Sequence, residues 1–149
     1  MKRLYILIIS LVLPCMVVAA QNTAAPSVSD IFSGKVVPRR EMKRTSVQGD
    51  RLAGLRLSEF VSVQFQADDN RLRLISSIID NSARTATVKE TETDGSYLTY
   101  AFITLQPTDE GLNQYLGYSA KPQGEEYWIT VIYFCGATSA SELKDKLSK

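Results

Sequence analysis

Carboxylates come closest to a chemical constellation in this chain. Glu90 and Glu92 stand two apart in a β-prone run, which places them on one face of a strand about 7 Å apart. That separation would suit the acid and base of an inverting hydrolase. Threonines alternate with them and an Asp94-Gly95 turn signal follows, so the pair is expected at a solvated hairpin tip rather than in a catalytic cleft. Glu125 and Glu126 are the other carboxylates a cleft could recruit. Ser141 and Lys144 fit a Ser-x-x-Lys nucleophile spacing, but Ser139 and Glu142 explain the same stretch as the capping box of a surface helix. The chain has no histidine, which excludes Ser-His-Asp and Cys-His catalysis and the usual zinc sites. Gly34-Lys35-Val36 lacks the spaced glycine and following hydroxyl of a phosphate loop. No cofactor is expected.

Two groups of residues could bind rather than react. Arg39, Arg40, Lys43 and Arg44, with Lys35 before them, face a single acid, Glu41; clustered guanidinium groups match phosphate and carboxylate oxygens. The plainer reading is a solvated loop leading into an edge strand, where basic residues discourage aggregation. No aromatic residues interleave with these charges as a nucleic-acid groove requires. The second group is aromatic: Tyr97, Tyr100, Tyr115 and Tyr118, accompanied by Phe102, Tyr127, Trp128, Tyr133 and Phe134, all in strand-like runs. Half-buried strands ordinarily hold such residues with their hydroxyls in water. An exposed patch of them would bind a protein, a second copy or a glycan.

The elements that must position these residues begin after an N-terminal segment of a different kind. Lys2 and Arg3 precede the apolar run Leu4 to Leu13, and Val18-Ala19-Ala20 is a small-residue cleavage site, so residues 1–20 read as a secretory signal with a mature chain starting at Gln21. The rivals are an uncleaved anchor, which wants about 20 apolar residues without the interruptions at Ser10 and Pro14, and acylation at Cys15, whose surroundings are too apolar for that signal. Cleavage takes Lys2 and Arg3 from the 17 basic residues, leaving 15 against 16 acidic ones. A near-neutral chain offers no general attraction for nucleic acid or anionic lipid. Cys135 is then the one remaining cysteine, expected as a small buried apolar residue. Gln21 to Pro26 reads as a disordered leader, and residues 27–149 are enough for one domain.

That domain is organised around Tyr127 to Gly136, YWITVIYFCG, a β-branched and aromatic run that reads as a central strand covered on both faces. Ahead of it, Ser27 to Ser33 predicts a short helix capped by Ser27 and stopped at Gly34. Thr45 to Val47 ends a strand before a Gln48-Gly49-Asp50 turn. Leu55 to Gln66 alternates apolar and polar residues with a bulge near Glu59 and Phe60. Asp68 or Asp69 caps a helix to Asn81 whose Leu72, Ile75, Ile78 and Ile79 form one stripe. Thr85 to Thr93 and Ser96 to Leu105 predict a hairpin about Asp94-Gly95. Leu112 to Ala120 adds a strand, and Ser141 to Leu147 a last helix. The expectation is a single α+β domain: an antiparallel sheet of about five or six strands, the last four a meander, with two main helices against it.

The chain resembles a family of small exported proteins from gut Bacteroidetes known only as a domain of unknown function. The resemblance is carried by Ala20-Gln21 at the end of the signal, Ile31-Phe32 with Gly34-Lys35, Val37-Pro38, Glu41-Met42, the acidic hairpin, and the closing ITVIYFCG with its Ser/Glu/Leu helix. It implies an envelope accessory protein and supplies no catalytic residue. The expected function is a non-enzymatic binding or interaction module of the envelope, exported to the periplasm or beyond, with an envelope protein, a glycan or a second copy as partner. The alternative is a carboxylate-dependent hydrolase or a small-ligand carrier.

Overall fold

A computed structural model describes residues 26–147. The signal reading and all of the leader but Pro26 lie outside the described residues. The domain is α+β, with a six-stranded antiparallel sheet in the order β1-β2-β6-β5-β4-β3. Its strands are β1 (Met42–Gln48), β2 (Leu57–Ala67), β3 (Val88–Asp94), β4 (Tyr97–Thr104), β5 (Asn113–Gln123) and β6 (Glu126–Gly136). The helices are α1 (Val28–Ser33), α2 (Asp69–Ala83) and α3 (Ala140–Leu147), with 3-10 segments at Arg39–Glu41 and Gly49–Leu55. The strands from β3 to β6 form the expected meander. Because α2 carries the chain from β2 to the opposite edge of the sheet, the meander returns to set β6 beside β2.

The caps act locally. Ser27 and Asp30 form a reciprocal capping box on α1, and Gly34 ends it at φ 88°. Asp68 accepts a hydrogen bond from the Arg71 backbone N–H at 2.8 Å and so starts α2. This helix continues past Asn81 to Ala83, since Ala83 extends the buried stripe one turn beyond Ile79. The β2 irregularity falls between Leu57 and Glu59, close to its expected place.

The β3–β4 hairpin differs from expectation by a small shift. Asp94 pairs with Tyr97, so the two loop residues are Gly95 and Ser96, with Gly95 at φ 64° in the first loop position. A register shift between Glu92 and Thr93 leaves Thr99 without an opposite residue and restores alternation in β4. On the other side of β4, pairing with β5 ends at Tyr100, which would strand the backbone of Leu98. Ser76 of α2 accepts the Leu98 N–H at 2.8 Å, and the Tyr118 hydroxyl donates to the Leu98 carbonyl at 3.2 Å. Strand β5 also runs further than Ala120, through Pro122. That proline lies beyond Ser119, the last residue β4 pairs, so its missing N–H costs no ladder bond.

The sheet has two unequal faces. The near face carries Val63 and Phe65 of β2, Ile129 and Val131 of β6, Leu116 of β5 and Ile103 of β4 under the α2 stripe and Ile31 of α1. The far face is covered at one end only, where Leu143 of α3 and Leu52 of the second 3-10 segment pack on Phe134, Tyr115 and Phe102. Strand β6 is thus central, but its second face is not fully covered: Trp128, Thr130 and Ile132 remain part-exposed. Cys135 is buried. At the edges, β1 is largely exposed and β3 wholly so.

The covered end of the far face depends on a backbone crossing. Arg56 takes a left-handed conformation at φ 57°, and its carbonyl accepts the Ala137 and Thr138 N–H groups at 3.0 and 3.3 Å. A Cβ on Gly136 would lie 2.4 Å from the Arg56 oxygen and 2.6 Å from the Leu57 Cα, both backbone atoms. Gly136→Ala is therefore expected to destabilise the domain by about 1–3 kcal/mol or more, measured by urea unfolding with a matched Gly54→Ala control that meets nothing. Ser76→Ala leaves the buried Leu98 N–H without its acceptor and should cost about 1–3 kcal/mol in the same experiment; an unchanged midpoint would refute that role.

Candidate functional site

Alternation along the strands sorts the far face into rows. The row under α3 is Val88, Thr104, Tyr115, Phe134, Phe60 and Val47, in order across the sheet. The next is Glu90, Phe102, Gly117, Ile132, Ser62 and Thr45, and the third is Glu92, Tyr100, Ser119, Thr130, Gln64 and Lys43. Beyond it, Lys121, Trp128 and Gln66 stand side by side on β5, β6 and β2. The face therefore grades from apolar and closed to polar and open. In the third row the four central side chains are uncharged, and charge is confined to the edge strands.

Tyr100 ends this uncharged stretch on β4 and Trp128 borders it on β6, two strands and two residues apart, about 12 Å by strand geometry. Between the rows and α3 lies a groove of about 470 Å³, walled by Tyr100, Phe102, Ile132, Phe134 and Leu147. Gly117 forms part of its floor, and with no side chain there Ile132 stays uncovered from that direction. Lys144 closes one side: its ammonium sits 4.9 Å from the centre of the Phe102 ring and pairs with Glu90. At this exposure the ion pair contributes about 0–1 kcal/mol, so it shapes the rim more than it holds the fold.

The four tyrosines singled out by sequence do not share a surface. Tyr115 is buried on the far face with its hydroxyl donating to the Thr138 carbonyl at 2.7 Å. Tyr118 is buried on the near face. Burial raises the pKa of both hydroxyls. Tyr97 is half-buried against Tyr127, with ring centres 5.6 Å apart. Its hydroxyl is pushed up to about 12, first by the hydrogen bond with Tyr127 and then by burial and the charge of Asp94. Tyr100, at 36% exposure, is the open one. Trp128, Ser119, Thr130 and Gln64 join it on the far face. The wet alternation of Gln64 and Gln66 in β2 was the available sequence signal for that surface.

The basic cluster is also divided. Arg39 and Arg44 line a groove beside α1 on the near face, together with Glu59 and Tyr133. Lys43, one residue from Arg44 in β1, belongs to the far face, and Arg40 is exposed in the 3-10 turn. Among the carboxylates, Glu90 and Glu92 remain neighbours on β3, but Glu90 is engaged by Lys144. Glu125 sits in the β5–β6 turn, and Glu126 lines a polar cleft with Glu41 and Arg71. Glu125 and Glu126 are thus not brought to Glu90 and Glu92. Among the described residues no group of acidic and cysteine side chains is arranged to hold a metal ion, and no helix is long and apolar enough to cross a membrane.

Comparison with solved structures returns the extracellular domain of PknH from Mycobacterium tuberculosis, 11% identical over 80% of this chain and 87% of that one, with a TM-score of 0.30. That likeness is too distant to carry an argument. No curated protein matches. The model of a family of unknown function, DUF6108, matches residues 13–147. This covers nearly the whole chain, and the protein belongs to that family.

Proposed function

We propose that this protein is an exported, non-enzymatic binding module of the cell envelope whose open sheet face engages a neutral glycan. The observation that supports the reading is the uncharged strip Ser119, Thr130 and Gln64 that runs across β5, β6 and β2 from Tyr100, with Trp128 two residues from Thr130 along β6. A sugar ring presents apolar C–H faces and neutral hydroxyls. Aromatic rings with a polar tip suit the first, and amide and hydroxyl side chains suit the second, directly or through bridging water. The strip itself offers a charged partner no side chain to pair with; the nearest interior charge is Lys121, beside Trp128. Turnover is the weaker reading, since Glu90 is already bound to Lys144 and Glu92 stands exposed on an edge strand.

Two outcomes are expected. Affinity electrophoresis in gels containing neutral polysaccharides should retard the protein, and Trp128→Ala should weaken that retardation about tenfold or more, the scale of an aromatic anchor; Tyr100→Ala should act in the same direction. Full retardation by the Trp128→Ala protein would rule out this face. Separately, N-terminal sequencing of the protein from its native cells should begin at Gln21; an intact Met1 would remove export by a cleaved signal.

A further inference from the structure

The near face holds a second concavity, independent of the glycan reading. A groove of about 530 Å³ runs between α1 and the end of the sheet, within the size range of small-ligand sites. Phe32 of α1, Val61 of β2, Leu105 and Leu116 form its apolar wall, with Arg39 and Arg44 also lining it. We propose that this groove binds an apolar monocarboxylate, its chain against the wall and its carboxylate between the two guanidinium groups.

Arg39 is held in position. Its Nε donates to the Ser33 carbonyl at 3.1 Å, at the C-terminal end of α1 where a cation is favoured. Its stem crosses Gly34 so closely that a Cβ there would lie 2.6 Å from the Arg39 Cγ. This leaves the terminal nitrogens of the guanidinium without a partner among the described residues. Arg44 projects from β1 on the same face as Val63, and its guanidinium makes no hydrogen bond or ion pair among the described residues. Two forked donors beside an apolar wall suit an oxyanion on an apolar body.

The charge of the groove selects within that class. Glu59 also lines it, and two cations against one carboxylate leave a single positive charge. A monoanion balances that charge, whereas a dianionic phosphate monoester exceeds it. Tyr133 does not add an anion: burial raises its pKa, and its hydroxyl donates to Gln114.

The test is isothermal titration of the purified protein with dodecanoate below its micelle concentration, against dodecanol, acetate and dodecyl phosphate. Dodecanoate is expected to bind one per chain and more tightly than each comparator. Arg39→Ala and Arg44→Ala should each weaken it about tenfold or more, and Glu59→Gln should tighten it. Both arginines are exposed, so an unchanged melting temperature checks that the variants remain folded. Equal binding of dodecanol, no loss in either arginine variant, tighter binding of dodecyl phosphate, or no binding would each overturn the assignment. Trp128→Ala should leave dodecanoate binding unchanged; a loss there would place the ligand on the other face.

Discussion

Unequal cover of the two faces of one sheet is the constraint from which the rest of this structure follows. Six strands present two broad surfaces, and the described chain supplies one helix of 15 residues, one of eight and one of six. The long helix and the short first one go to the near face, where the apolar residues of β2, β4, β5 and β6 converge. Only α3 and a 3-10 segment remain for the far face, and they reach one end of it. Side-chain chemistry on the far face follows the cover: aromatic and aliphatic under α3, then Gly117, then serine, threonine and glutamine. A row that helices cannot reach must be compatible with water, and a row compatible with water is available to ligands.

Much of this frame was legible in the sequence because it is local. Ser27 with Asp30, Asp68 before an apolar stripe, and the change of period from β2 to α2 each depend on neighbours within a few residues. The irregularity near Glu59 was visible as a break in alternation. The position of β6 at the centre followed from its two apolar faces. Its second face misled, because apolar character does not reveal how many helices exist to cover it. The Gly95-Ser96 loop was displaced from the expected dipeptide since register is settled by strand pairing and by the bulge at Thr99, neither visible in one run.

The binding surfaces were less legible. Arg39 and Arg44, five apart, one in a 3-10 turn and the other in β1, reach one groove that α1 and β2 also line. Lys43 and Arg44 look equivalent as a charge pair and are separated by the thickness of the sheet. Tyr115 and Tyr118 are three apart in β5, so alternation sends them to opposite faces, and each is buried with a backbone carbonyl for its hydroxyl. The polar centre made by Ser119, Thr130 and Gln64 joins three strands whose neighbourhood depends on strand order, which no local pattern encodes.

The exposed β3 edge has a consequence for the behaviour of the protein in a concentrated suspension. An open edge invites a second copy to continue the sheet. When two antiparallel copies of β3 meet with their sheet faces matched, residues of the same parity come opposite each other. Registers centred on the strand therefore set Glu90 against Glu90, Glu90 against Glu92, or Glu92 against itself. Lys89 points to the other face, and Lys144 offsets only Glu90, so Glu92 carries the charge that no cation on this face answers. Like charges directly opposite disfavour a strand pair, so the edge resists runaway polymerisation without a proline or a covering loop.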